Sequence, residues 1–296
     1  MLRTTCRCAD DVPMQSLQLI VHGDDFGFSE SINDGIVRAH TDGILTSASL
    51  AAAGDSFDHA VALARAHASL DIGVHLTLTG ARSAAQPASV PSLLCDGASL
   101  WPNPGEFLKR FVRGAIAMGD VERELRAQLD RAVATGLPIS HLDCHQHLQA
   151  LPGLRGVVAE LARQHGIAFV RRPRERLRPF MLRDPNRLGR AAACVVLGLL
   201  CAAPPRWRTR TTDHFAGFYF GGRLDRANLA TLIKTLPRAG TCELMCHPGS
   251  DAIDRGHFAA DYDRRAERDA LCDPDIRREL QARNVRLVSF ADIAVA

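Results

Sequence analysis

The chain has 296 residues, of which 46% are hydrophobic and 23% are charged, and its formal net charge is +3. This composition excludes an intrinsically disordered chain, and so small a charge gives no argument for nucleic-acid binding. The length suits one α/β domain with insertions. No stretch reaches the roughly 20 apolar residues of a transmembrane helix.

The amino-terminal residues and the cysteines bear on location. Residues 1–16 contain four charged side chains and no continuous apolar run, so they predict a flexible extension rather than a signal peptide, followed by a single domain over residues 17–296. The nine cysteines lack the regular spacing of a disulfide framework. Cys6 and Cys8 form a close pair, but their neighbourhood supplies no further metal ligands. We therefore predict a cytoplasmic protein with reduced thiols.

Short apolar stretches alternate with helical patterns along the chain. Strands are predicted over residues 17–22, 45–52, 71–78, 138–144, 167–170, 241–247 and 285–290, and helices over 31–41, 58–67, 121–135 and 154–165. Residues 79–105, rich in Ala, Ser and Pro, predict a long loop of the kind that often covers a binding site. The alternation of strands and helices predicts an α/β fold with a parallel sheet.

The alternation breaks between residues 171 and 210, which we interpret as an insertion. Five arginines lie within residues 171–178, and an uncharged run follows over residues 191–203. Thirteen residues are too few to span a bilayer. Two interpretations remain open: a buried core helix, or an apolar helix that lies on a membrane surface or holds a lipid tail.

Polar residues cluster where three of the predicted strands end. Asp24 and Asp25 follow the first strand, His75 lies in the third, and residues 141–147 contain three histidines and an aspartate. Taken singly, the aspartates are explained by a turn and the histidine by a hydrogen-bonded core position. Because the carboxyl ends of strands in an α/β barrel meet on one face, their recurrence there indicates a shared site.

These residue types are those of a mixed carboxylate and imidazole metal site. Two His nitrogens and one Asp oxygen leave a coordination position open for water. A cation can lower the pKa of that water from about 15.7 toward 7, and a second carboxylate can accept its proton. If residues 141–147 were extended throughout, His141, Asp143, His145 and His147 would share one face. They cannot all bind one ion, so some must orient the ligands. His247, at the tip of a later strand, is a candidate acid.

Four segments together resemble a known family. Residues 21–27 (VHGDDFG), 73–78 (GVHLTL), 141–147 (HLDCHQH) and 246–249 (CHPG) are similar, in the same order, to the motifs of the YdjC-like carbohydrate deacetylases. The resemblance extends from about residue 17 to residue 290. Residues 28–36 and 213–218 resemble the hopanoid-biosynthesis branch of that family, called HpnK.

The resemblance implies a distorted TIM-like (β/α) barrel with inserted loops and helices. It implies that Asp25, His75 and His145 bind one divalent metal ion, that Asp24 is the general base and that His247 is a candidate acid. Zinc suits these ligands best, with Mg, Mn, Ni and Co as alternatives. Residues expected to bind substrate or to orient the ligands are Asp143, His141, His147, Arg171 and Arg172.

The substrate class also follows from the resemblance. It implies removal of the N-acetyl group from an N-acetylated amino sugar, in the HpnK branch N-acetylglucosaminyl bacteriohopanetetrol. The apolar run over residues 191–203 favours this lipid-linked substrate and peripheral contact with the inner membrane surface. The alternatives are a deacetylase of soluble chitooligosaccharides, a metal-dependent phosphoesterase and a non-catalytic sugar or lipid binding protein. No nucleic-acid partner is expected, and the sequence predicts no oligomeric state.

Overall fold

The computed structural model describes residues 16–202, 209–250 and 262–294. The predicted extension therefore lies outside the described residues except for Ser16, and so do Cys6 and Cys8. Eight strands form one sheet: β1 Leu17–Phe26, β2 Ser47–Leu50, β3 Asp71–Leu76, β4 Ile139–Cys144, β5 Phe169–Val170, β6 His214–Ala216, β7 Gly240–Cys246 and β8 Arg286–Leu287.

The strands are all parallel and follow the order β5-β4-β3-β2-β1-β7-β6. β8 pairs with the first half of β1, whereas β2 pairs with its second half. Isolated parallel bridges, Phe169 to Arg210 and Glu175 to Phe215, connect the two ends of this order. The sheet is therefore curled, and the prediction of an α/β fold of the distorted TIM-like barrel type is confirmed.

Ten α-helices are described, and the four helices predicted from periodicity are among them. They are α1 Glu30–Thr41, α2 Phe57–Ala66, α3 Pro104–Val112, α4 Met118–Val133, α5 Leu154–Gln164, α6 Leu188–Leu200, α7 Arg226–Lys234, α8 Arg264–Cys272, α9 Pro274–Ala282 and α10 Phe290–Ala294. The predicted loop over residues 79–105 contains two 3₁₀ turns, Pro87–Ser89 and Pro91–Leu93. It ends at α3, which begins where Asn103 caps the helix and Pro104 occupies its first turn.

The interior of the barrel is apolar at one level and polar at the next. Ile20, Phe169 and Phe290 belong to one buried cluster. The imidazole of His141 stacks on the ring of Phe290 with 4.0 Å between centroids. A Cβ atom at Gly73 would lie 2.3 Å from this imidazole, so glycine is required there for His141 to occupy the interior.

Residues 171–210, which the sequence predicts to be an insertion, contain α6, the helix that coincides with the predicted apolar run. Only Ala191 and Cys194 of this helix are buried, while Leu199 is 70% exposed and Val196 is 55% exposed. The interpretation as a buried core helix is therefore wrong. Among the described residues, no helix is both long enough and apolar enough to cross a bilayer.

Candidate metal centre

The sequence predicts that the first strand ends at His22 and that Asp24 and Asp25 follow it. In the structure β1 continues to Phe26, so both aspartates lie within the strand. Asp25 has a φ of 73°, in the left-handed region that residues other than glycine seldom adopt. Such backbone strain is concentrated at functional sites. The two neighbouring carboxylates consequently reach different groups: Asp25 lies beside His75 and His145, and Asp24 lies beside Arg171.

Asp25, His75 and His145 bring three donor atoms together at the end of the barrel. Asp25 Oδ1 lies 3.3 Å from His75 Nε2 and 3.3 Å from His145 Nδ1, and the two nitrogens are 3.3 Å apart. Ligand atoms at about 2.0–2.1 Å from a tetrahedral zinc ion are about 3.3–3.4 Å from one another. Asp25 Oδ1 is buried without a conventional hydrogen-bond partner among the described residues. The donor set and its spacing therefore fit a divalent cation.

The second oxygen of Asp25 is held by Arg264. Arg264 donates a hydrogen bond to Asp25 Oδ2 at 2.6 Å, and both side chains are buried. Burial raises the pKa of Asp25, but the Arg264 charge and the two imidazoles outweigh it, and the pKa lies well below its usual range. Asp25 is therefore anionic and presents one oxygen to the two histidines.

The carboxylate of Asp143 contacts the side of the His75 ring that faces away from Asp25. His75 Nδ1 lies 2.9 Å from Asp143 Oδ1, and Ser49 Oγ donates to Asp143 Oδ2 at 3.0 Å. Burial lowers the pKa of His75, but the Asp143 charge and hydrogen bond raise it to about 10. A carboxylate on the far nitrogen of a ligating histidine is the usual arrangement for fixing the ring. Asp143 thus contacts the His75 nitrogen that faces away from Asp25, and its role in orienting a metal ligand stays a prediction.

Arg171 lies among a second group of acidic side chains in the barrel. His22, Asp24 and Asp143 have the spacing of a possible cation site. The buried Arg171 guanidinium, however, donates two hydrogen bonds to Asp24, at 2.6 and 2.8 Å, and contacts Asp143 at 2.7 Å. Its Nε donates to Glu243 at 2.6 Å. This group already contains a cationic side chain, so the triangle around Asp25 is the better candidate for a metal.

A cleft of about 550 Å³ opens above the triangle. Asp24, Asp25, His145 and His247 line it. His247 Nε2 lies 4.0 Å from Asp24 Oδ2, and the His247 backbone N–H donates to Glu267 at 2.6 Å. Burial lowers the pKa of His247 to about 4 despite the nearby Asp24 charge. The cleft therefore places a neutral imidazole and a carboxylate side by side next to the donor triangle.

The remaining predicted site residues lie in different places. His147 lines the cleft against Phe218, and burial lowers its pKa to about 3. His141 lies below the site in the barrel interior, and Arg172 donates to the carbonyl of Cys201 and does not line the cleft.

Residues 141–147 are not extended throughout, so the condition for one shared face is not met. β4 ends at Cys144, and both Gln146 and His147 adopt left-handed backbone angles. Sequence reasoning missed Arg264 and Ser49, for which no local motif gives a signal, and assigned no role to Glu243 although it noted the segment that contains it.

Comparisons with known proteins bear on identity. Residues 18–282 match the sequence profile described as YdjC-like protein. The chain belongs to the YdjC-like family. A carbohydrate deacetylase of Brevibacillus brevis is 31% identical over 94% of this chain and 100% of the relative, and one of Mus musculus is 32% identical over 94% and 95%. A chitooligosaccharide deacetylase of Salmonella paratyphi B is 28% identical over 93% and 98%.

A solved structure supports the fold of this YdjC-like chain. A candidate cellobiose-phosphate cleavage protein of Enterococcus faecalis superposes with a TM-score of 0.74 at 23% identity, covering 94% of this chain and 99% of the other. The family resemblance inferred from the four motifs is confirmed, and with it the predicted enzyme class, because the named relatives are deacetylases.

Proposed function

We propose that this chain is a divalent-cation-dependent hydrolase that removes the N-acetyl group from an N-acetylglucosamine-type sugar. The observation that carries the proposal is the triangle of Asp25, His75 and His145 donor atoms at 3.3 Å, beside a cleft that also contains Asp24 and His247. The names of the relatives, carbohydrate and chitooligosaccharide deacetylase, agree with this chemistry.

Asp25, His75 and His145 would hold the cation, with zinc favoured by two imidazoles and one carboxylate and Mg, Mn, Ni and Co as alternatives. When bound, such a cation polarises the acetyl carbonyl and lowers the pKa of a water molecule. Arg264 holds the second oxygen of Asp25, and Asp143 fixes the ring of His75. These two contacts keep the ligand atoms in place before substrate arrives.

Asp24 is the proposed base, and Arg171 orients its carboxylate. Two hydrogen bonds from the guanidinium fix the plane of the Asp24 carboxylate, which lines the cleft. Burial raises the pKa of Asp24, but the Arg171 charge lowers it below its usual value, so the group is ionised and able to accept a proton from the attacking water. His247 is neutral near pH 7, so it must take up a proton before it can act as the acid for the departing amine. Asp24 lies 4.0 Å from its Nε2 and Glu267 lies 3.9 Å from its Nδ1.

The phosphoesterase alternative is weaker on this geometry. Enzymes that hydrolyse phosphate esters often use two metal ions about 3.5–4 Å apart. In the described residues the only other acidic group of metal-site spacing is filled by the Arg171 guanidinium. We expect acetate release from an N-acetylglucosamine oligosaccharide and no phosphate release from the corresponding sugar phosphate. Phosphate release without acetate release would contradict the proposal.

We further propose that the natural substrate is lipid-linked, of the N-acetylglucosaminyl bacteriohopanetetrol type, and that the protein is cytoplasmic with peripheral contact at the membrane. The exposed apolar surface of α6 supports this, since the same helix contributes Arg190 to the cleft. Arg190 also donates to the carbonyl of Gly221 at 3.1 Å, which ties α6 to the cleft wall. An amphiphile could place its sugar in the cleft and its apolar part on α6.

Polar substitutions on α6 test the lipid-linked substrate. Burial of apolar surface contributes about 25 cal/mol per Å², so a few hundred Å² stabilises binding by several kcal/mol. We expect the double variant Val196→Ser, Leu199→Ser to raise KM for the lipid-linked sugar at least tenfold, with little change for a short soluble analogue. Val112→Ser on α3 is the matched control, because Val112 is 72% exposed and lies on another helix. Equal KM changes on both substrates would favour a soluble chitooligosaccharide as substrate.

A further inference from the structure

Four arginines lie along one side of the segment that follows β5. Residues 172–178 run beside β6, with Glu175 bridged to Phe215. Side chains alternate along this extended segment: Arg171 and Glu175 are buried, whereas Arg174 and Arg176 are exposed. The outward side lines a pocket of about 290 Å³ through Arg172, Arg174, Arg176 and Arg178. We call these four residues the arginine face.

The charge of the arginine face is not balanced within the pocket. Asp213, which also lines it, accepts hydrogen bonds from the backbone N–H and the hydroxyl of Thr241. Glu175 pairs with Arg178 at 2.9 Å and accepts the Tyr219 backbone N–H. Over the parts of the chain that the structure describes, no carboxylate lies within ion-pair distance of Arg174 or Arg176. The pocket thus presents two arginines to an anion from outside.

An exposed apolar surface lies next to the arginine face. The exposed residues of α6 recur at helical spacing along one side, and we call them the apolar stripe: Leu188, Ala192, Val195, Val196 and Leu199. Six of the nine large hydrophobic residues that are exposed in the described chain fall within residues 177–199. The two surfaces are joined because Arg172 donates to the carbonyl of Cys201, immediately after the last turn of α6.

We propose that the arginine face and the apolar stripe together dock the protein on an anionic phospholipid surface. Lipid phosphates enter the arginine pocket, and the stripe lies at the boundary between head groups and acyl chains. A helix with an uninterrupted apolar side beside clustered arginines is the pattern of interfacial membrane binding. This docking rests on the proposed function in one respect, because it names the surface that would bring the cleft to a lipid-linked substrate. Vesicle binding itself can be measured without that substrate.

Vesicle co-sedimentation of the full chain tests the docking. We expect binding to vesicles of phosphatidylglycerol and phosphatidylethanolamine, weaker binding at higher salt, and little binding to phosphatidylcholine alone. The double variant Arg174→Gln, Arg176→Gln should bind the anionic vesicles about 25-fold more weakly, at roughly fivefold for each arginine. The double variant Val196→Ser, Leu199→Ser should also weaken binding. The matched control Arg113→Gln, Arg286→Gln removes two exposed arginines elsewhere and should bind like the unchanged protein.

Three outcomes would overturn the docking. Equal binding of the arginine-face variant and its control would remove the arginine face from the interaction. Displacement by millimolar inorganic phosphate would make the pocket a site for a free anion, and a dimer that dissociates when the apolar stripe is changed would assign the stripe to a second copy of this chain. The arginine-face variant should keep full acetate release on a short soluble sugar. If no acetate is released from any sugar while vesicle binding persists, only the proposed function fails.

Discussion

Replacing Asp25, His75 or His145 by alanine is expected to remove the bound cation and abolish acetate release. The three donor atoms lie at mutual distances of 3.3 Å, so each variant leaves two ligands where three are needed to hold the ion and leave an open position. Elemental analysis of the purified variants measures the loss. His147→Ala is the control for metal content, because His147 lines the same cleft outside the triangle. Full occupancy in the His145 variant would move the assignment to His147, which lines the same cleft.

Asp25 needs a second variant, because its loss also affects stability. Arg264 is buried and donates to Asp25 at 2.6 Å, so alanine leaves a buried charge without this partner, at a cost of about 3–5 kcal/mol. Asp25→Asn keeps the shape and an oxygen for Arg264 while weakening the ligand. Comparison of the two by thermal unfolding separates loss of the cation from loss of the fold.

Asp24→Asn is expected to retain the cation and to lower kcat by roughly 10²-fold to 10⁴-fold, the usual contribution of a positioned base. The amide keeps the shape of the carboxylate and one hydrogen bond from Arg171, but its NH2 group cannot accept the second one, so the stability of the variant is checked by thermal unfolding. Single-turnover kinetics on protein of verified metal content measures the effect. Asp143→Asn is the comparison, since its main effect should be metal affinity that falls 10-fold to 100-fold. Near-normal turnover in the Asp24 variant would make His247 the first alternative base.

The order of strands and helices could be predicted wherever apolar runs and helical periodicity are pronounced, as in β1, β3, α4 and α5. β6 was missed because three residues carry no pattern. The helix α8 was missed because its buried side includes Arg264, Glu267 and Arg268, which conceal the apolar periodicity. For α6, one of the two interpretations was wrong. The uncharged run suggested a buried core helix, yet the apolar side of α6 is exposed.

The structure brings together Asp25, His75 and His145, whose role as metal ligands stays a prediction, but the contacts that orient these side chains could not be predicted from the sequence. The separation of Asp24 from Asp25 depends on the left-handed backbone at Asp25. The placement of Arg171 depends on the curvature that brings β1, β4 and β7 around one guanidinium. The placement of Arg171 arises from tertiary packing, since Arg171 and Asp24 are 147 positions apart in sequence.

Acetate release by metal-depleted protein tests the central claim most directly. The chain is treated with a chelator until elemental analysis finds no divalent metal, and acetate release from an N-acetylglucosamine oligosaccharide is then followed as zinc is returned. A site built from Asp25, His75 and His145 predicts no acetate without metal, recovery that is complete near one cation per chain, and no recovery in the His145→Ala variant. Undiminished acetate release by the metal-free protein would contradict the account.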